Sequence, residues 1–188
     1  MRSDSTASVE GRERLRLFCA LPLPAETIRE LVAWQAHELT AARDVRIVPP
    51  GNLHVTLAFL GTTPSAEVDG ILEVLREAGA GAPVPALTPV RYRETRSVGM
   101  VVFEDAGDRA TEIAERVGEG LERLGVYRRE ERRWLPHVTV LRFRGRPRLA
   151  PALPGLGQVS PSEVALYHSV LRPGGAQYEI LESVALGG

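Results

Sequence analysis

Leu53-His54-Val55-Thr56-Leu57 and Pro136-His137-Val138-Thr139-Val140 are the two stretches on which the reading of this chain turns. Each runs His-Val-Thr and then an aliphatic residue, and they stand 83 residues apart, one in each half. The 188 residues hold four histidines and ten threonines, so two chance His-x-Thr matches have odds of roughly 2%. A single match would mean little; the pair points to a repeated element. In a strand, residues i and i+2 share a face, so His54 and Thr56 point together, and so do His137 and Thr139. Val55, Leu57 and Phe59 are then expected to turn into a core, with Val138 and Val140 doing the same. A pseudo-twofold relation between the halves would set the two pairs against each other across one cleft.

Outward from these stretches, strands alternate with single helices. Arg14–Leu21 reads as a strand stopped by Pro22 and Pro24, after a polar, aperiodic tail over residues 1–13. Ile28, Leu31, Val32 and Leu39 recur at helical spacing over 25–40. Val45–Val48 is a short strand before Pro49-Pro50-Gly51. Leu53–Leu60 is the next strand, closed by Gly61, and Ser65 is placed to cap a helix carrying Val68, Ile71, Leu72 and Leu75. After a small-residue break at 79–85 the layout repeats. Strands are expected over 86–92 and 98–103, a helix over 108–124 and a strand over 134–143. A Pro/Gly-rich loop fills 150–162. Strands over 164–171 and 178–185 are joined through Pro173-Gly174-Gly175. This predicts an α+β fold of two pseudo-symmetric lobes, each an antiparallel sheet flanked by helices, around a central cleft. Residues 14–188 would form that single bilobal domain.

Composition narrows the function. The formal net charge is −1, so the molecule as a whole is no polycation. All 23 basic residues are arginine. Without lysine there is no P-loop lysine, no Schiff-base chemistry and no nucleotidyl-lysine intermediate. The single cysteine, Cys19, has no partner for an internal disulfide, which fits a cytoplasmic location. No apolar run is long enough to span a membrane. A zinc site needs three or four ligands, and no third ligand stands near the histidine pair, so neither metal nor cofactor is expected.

Two histidines and two hydroxyls make a recognisable set. An imidazole titrates near pH 6.5, so one ring can act as base while the other acts as acid. In-line displacement at phosphorus uses that pair: one group deprotonates the attacking oxygen and the other protonates the leaving oxygen. Threonine hydroxyls can donate to the non-bridging oxygens, where charge grows in the transition state.

Further segments carry a family resemblance. Arg16-Leu17-Phe18-Cys19-Ala20-Leu21, Val48-Pro49-Pro50-Gly51-Asn52-Leu53-His54 through Phe59-Leu60-Gly61, and Arg132-Arg133-Trp134-Leu135-Pro136-His137 to Arg142 are three of them. Ser169-Val170-Leu171 with Gly175 and Tyr178 is the fourth. With these flanks the chain resembles the RNA 2′,3′-cyclic phosphodiesterases, also called 2′-5′ RNA ligases, of the 2H phosphoesterase superfamily. Trp134 departs from the family, which more often has Phe there. The resemblance implies that His54 is the proton donor and His137 the proton acceptor, and that Thr56 and Thr139 hold the phosphate. It implies hydrolysis of a cyclic phosphate end to a 2′-phosphate, with reversible 2′-5′ joining through the same site. The partner would be RNA with such an end, or a small nucleotide, taken by a monomer. Two alternatives stay open: a different small cyclic phosphate as substrate, and an RNA-binding module whose histidines only grip phosphate.

The remaining candidates are weighed by position. Arg142 matches a family arginine after the second motif. It stands at i+5 from His137, so strict alternation turns it to the opposite face unless the strand bulges. Tyr167 and Ser169 share one face of their strand and are candidates to border the cleft, while His168 alternates with Val164, Leu166 and Val170 as a packed residue. His37 is expected in solvent. Trp134, Phe59, Phe143 and Tyr167 are candidate base-stacking surfaces, with the core the stronger expectation for Phe59. Arginines 128, 129, 132, 133, 142, 144, 146 and 148, offset only by Glu130 and Glu131, suggest an RNA-backbone footprint beside the second motif.

Overall fold

The computed structural model describes residues 13–39 and 44–187. Residues 1–12 of the expected tail lie outside the described residues, as does Thr40 at the end of the first expected helix. In chain order the elements are β1 (Arg14–Pro22), α1 (Ala25–Glu38), β2 (Val45–Ile47), β3 (His54–Pro64), α2 (Val68–Gly79), β4 (Leu87–Glu94) and β5 (Val98–Asp105). They continue with α3 (Arg109–Leu124), β6 (His137–Phe143), β7 (Glu163–Arg172) and β8 (Gly175–Ala185). Every strand pairing is antiparallel.

The expected α+β class with two lobes holds, and the two sheets join along one seam. The strand order is β4-β5-β6-β3-β1-β7-β8, with β2 pairing β6 off that path. One lobe is β3-β1-β7-β8 and the other is β4-β5-β6 with β2. The lobes therefore exchange strands relative to the chain halves: β2 comes from the first half, and β7 and β8 from the second. At the seam, β3 and β6 share a single register pair, Val55 with Val138.

The helices form the other layer. α2 buries Ile71, Leu72 and Leu75, and α3 buries Ile113, Val117 and Leu121, all at i, i+3/i+4 spacing. Asp105 holds the start of α3. Its carboxylate accepts from Ala110 N at 3.1 Å, Thr111 N at 2.8 Å and Thr111 Oγ1 at 2.9 Å. Ser65 does not cap α2 as expected; it opens a short 3₁₀ turn, and Glu67 occupies the cap position with no side-chain cap bond. α1 lies on the other lobe, where Gln35 Nε2 donates to Val48 O at 3.1 Å and Val140 O at 2.9 Å.

Two of the strand boundaries that differ from expectation belong to the strands carrying the His-x-Thr motifs. Gly61 does not close β3; the strand runs on to Pro64 through a bulge in which Gly61 adopts φ 70°, a left-handed conformation that glycine takes without Cβ strain. β6 begins at His137, since Pro136 has no N–H for the ladder and contributes only its carbonyl, which accepts from Phe103 N at 3.0 Å. Among the described residues, no helix is long and apolar enough to cross a membrane.

Candidate active site

The seam places the site. Val55 and Val138 face each other with 0% exposure and point into the core. Their antiparallel pairing brings His54 opposite Thr139 and Thr56 opposite His137, all four on the other surface of the sheet. The two motifs are thus neighbours on hydrogen-bonded strands, related by a local twofold through the valine pair.

Immediately after the motif both strands bulge at the same place. On β3 the register with β1 slips between Thr56 and Ala58, so Leu57 is the extra residue. On β6 the register with β5 slips between Thr139 and Leu141, so Val140 is the extra residue. Leu57 and Ala58 are both buried, as are Val140 and Leu141, which strict alternation does not allow. Past the bulge the faces exchange. Arg142 consequently lines the cleft with Thr139.

The same slip overturns the assignment of Phe59 to the core. Phe59 is 65% exposed and lines the cleft, with its ring 5.7 Å from Phe18. It stands at i+5 from His54 as Arg142 stands at i+5 from His137. That shared spacing is the signal that could have found it.

Beyond the valine pair β3 and β6 part, and β2 fills the ladder along β6 from Leu141 to Phe143. The opening is a cleft of ≈ 520 Å³ whose lining includes His54, Thr56, Thr139 and Arg142. Phe18, Asn52, Ser169 and Tyr178 line it too. Asn52 Nδ2 donates to Ala176 O at 2.8 Å, tying the β7–β8 hairpin to the turn before β3.

The two rings have different surroundings. His54 lies 4.9 Å from Phe18, 5.4 Å from Tyr178 and 5.7 Å from Tyr167 between ring centroids. Burial lowers its pKa to about 4; the Asn52 backbone raises it, while His137 and Arg142 lower it further through their charges. Its Nε2 is 3.0 Å from Thr56 Oγ1, and its Nδ1 is buried. His137 is also lowered, first by burial, against the raising effect of Leu135 and with Arg132 and Arg93 adding to the drop. Its Nδ1 donates to Leu135 O at 2.8 Å, which leaves Nε2 as the basic nitrogen.

The other candidates are placed as follows. Ser169 lines the cleft and is 8% exposed. Tyr167 lies beneath it, stacked on Phe18 at 4.8 Å and 5°. Trp134 is fixed beside the first motif, its Nε1 donating to Thr56 O at 3.0 Å. Phe143 is buried, His37 is exposed, and His168 is half-buried on the face of β7 opposite Tyr167.

Four of the eight arginines in the run, Arg129, Arg132, Arg133 and Arg146, are ion-paired. Arg129 pairs with Glu122 and Glu119, Arg132 with Glu130, Arg133 with Asp108 and Arg146 with Glu94. Cys19 is buried in the core, which pushes its thiol up to about 12 and leaves it no nucleophile. Among the described residues, no group of three or more His, Cys, Asp or Glu side chains is placed to hold a metal ion.

Paired His-x-Thr motifs on adjacent antiparallel strands, with His54, Thr56, Thr139 and an arginine lining one cleft and His137 on the neighbouring strand, define a phosphoesterase of the two-histidine class. The model of LigT-like phosphoesterases matches residues 21–88. A protein of Thermus thermophilus named RNA 2′,3′-cyclic phosphodiesterase is 34% identical over 187 residues, covering 93% of this chain and 91% of its own length. The apo crystal structure of Escherichia coli LigT superposes with a TM-score of 0.80 at 27% identity, covering 94% of this chain and 99% of that one. The same protein complexed with 3′-AMP gives 0.77 at 27% identity and the same coverage. The chain belongs to the LigT-like phosphoesterase family.

Proposed function

We propose that this protein hydrolyses RNA 2′,3′-cyclic phosphate ends to 2′-phosphates by two-histidine acid–base catalysis that needs no metal. The Val55–Val138 pairing carries this reading, since it brings two imidazoles and two hydroxyls to one surface. Its relatives' name, and the nucleotide taken by the E. coli protein, point to the same substrate class.

His137 Nε2 accepts a proton from water, and the water oxygen attacks phosphorus. The P–O3′ bond breaks as the P–O(water) bond forms. His54 Nε2 delivers its proton to O3′, giving the free 3′-hydroxyl and the 2′-phosphate. Arg142, Thr56 and Thr139 stabilise the charge on the non-bridging oxygens. Attack by a 5′-hydroxyl in place of water, with the same P–O3′ bond breaking and His54 protonating O3′, makes a 2′-5′ link, and bulk water favours hydrolysis.

An RNA oligonucleotide ending in a 2′,3′-cyclic phosphate, incubated with the protein in EDTA, should yield a 2′-phosphate end. Activity abolished by EDTA and restored by a divalent cation would overturn the mechanism. A 3′-phosphate product would overturn the assignment of His54 as acid to O3′.

A further inference from the structure

Three guanidinium groups line the cleft: Arg142 on β6, Arg46 on β2 and Arg16 on β1. The lining includes no Asp or Glu among the described residues. Arg46 and Arg142 are register partners across β2 and β6. Their Cβ atoms are then ~5 Å apart, where like charges repel. Arg76, Arg129, Arg133 and Arg146 elsewhere sit in ion pairs, whereas Arg16, Arg46 and Arg142 have no carboxylate partner among the described residues.

Arg46 is nevertheless held in place. Its Nη2 donates to the carbonyl of Gly174 in the β7–β8 turn, a neutral partner that leaves the charge uncompensated. Gly175 lies against the same guanidinium with φ 119°, and a Cβ there would collide with it. On β1, Arg16 stands two residues before Phe18 on the cleft face, ~7 Å along the strand. Phe18 in turn pairs with Phe59. Arg16 and Arg46 thus line the same cleft from β1 and β2.

A cyclic phosphate carries one negative charge, and Arg142 meets it beside the histidines. Two positive charges remain in the same cleft. We propose that Arg16 and Arg46 form a second anion subsite for the phosphate on the 5′ side of the terminal nucleoside. The enzyme then binds an RNA end through two phosphates, not as a bare nucleoside cyclic phosphate. This rests on the phosphodiesterase reading above. Guanidinium is suited to the task, since its planar donors bind phosphate oxygens two at a time.

The test compares three substrates: a nucleoside 2′,3′-cyclic phosphate, the same molecule with a 5′-phosphate, and a dinucleotide ending in a cyclic phosphate. Wild type should prefer the second and third by kcat/KM. R46Q and R16Q should each reduce that preference about tenfold, the loss of one charge-assisted phosphate contact. Each should also flatten the salt dependence of oligonucleotide binding by about 0.7 in log–log slope. If the dinucleotide is favoured but the 5′-phosphorylated mononucleotide is not, the subsite reads a chain phosphodiester; equal preference means it reads any 5′-phosphate.

A wild type with no preference, or variants that lower all three substrates equally, would overturn the subsite while leaving the activity intact. A wild type inactive on all three would overturn the functional reading instead. The subsite is then decided by binding alone: R46Q must lose affinity for a 2′-phosphate-ended dinucleotide more than for a nucleoside 2′-phosphate, and an equal loss overturns it.

Discussion

Around His54, three aromatic rings within 5.7 Å of the imidazole remove water and hold its pKa at about 4. His137 is lowered as well, and its Nδ1 is engaged by Leu135 O. The protein alone therefore favours neutral rings near pH 7. A bound phosphate anion acts in the opposite direction and raises both. One proton shared by the pair is the productive form, so kcat/KM should trace a bell whose limbs belong to the coupled pair. Both limbs should lie on the acid side of ~6.5, the ordinary histidine value. The kcat bell should sit at higher pH, because it reports the complex. Arg142→Gln removes a charge that lowers His54, so its kcat/KM bell should move up in pH. Identical wild-type and Arg142→Gln bells would show that Arg142 does not act on the pair. His54→Ala and His137→Ala should each lower kcat by ~10²–10⁴-fold with circular dichroism unchanged. The double variant should be little worse than either single one, because the residues act as a unit.

At the scale of elements, the two bulges convert a symmetric pair of strands into an asymmetric site. Leu57 and Val140 occupy the same motif position, and each turns the i+5 residue toward the cleft. One lobe thereby offers an aromatic ring, Phe59, and the other a cation, Arg142. Gln35 braces the bulge on β6 from behind, through Val140 O and Val48 O, and is 2% exposed. Gln35→Leu leaves buried carbonyls short of donors and should cost about 1–3 kcal/mol in urea unfolding. It should also raise KM more than it lowers kcat, because it loosens the strand that aims Arg142. A stability loss with unchanged KM would limit Gln35 to packing. Phe59→Ala should raise KM for a nucleotide substrate with little loss of stability, since the ring is 65% exposed and packs little core.

For the whole molecule, the seam that makes the site also ties stability to pH. His54 titrates at about 4 when folded and at ~6.5 when unfolded. The unfolded chain binds the proton more readily, so stability is complete above ~6.5 and falls as the pH drops toward 4. At 1.36 kcal/mol per unit the loss attributable to His54 is about 3 kcal/mol, and His137 adds in the same direction. Urea unfolding at pH 7 and pH 4 should therefore show a smaller pH-dependent loss in His54→Gln than in wild type. An equal loss in both would place the acid sensitivity elsewhere.

Much of this was legible before any coordinates. The duplicated His-Val-Thr needed only the two-residue period of a strand to put His54 with Thr56 and His137 with Thr139 on one surface. The apolar spacing in α2 and α3 marked their buried faces, because local periodicity reports which side of an element meets a core. The strict period failed at Leu57 and Val140. A bulge depends on what lies behind the strand: the Val140 carbonyl is taken by Val48 N and Gln35, from segments about 90–105 residues away. Strict alternation therefore turns Phe59 to the wrong face, and brings Arg142 to the cleft only if the strand bulges, a condition the sequence leaves open. Within the arginine run 128–148 the local sequence shows only Glu130 and Glu131, whereas Asp108, Glu119 and Glu122, which pair with Arg133 and Arg129, come from α3 and the turn before it. Arg16 and Arg46 stand 30 residues apart on strands that do not pair, so no local pattern links them. Proximity of that kind comes from sheet order, which long-range packing settles and no local pattern encodes.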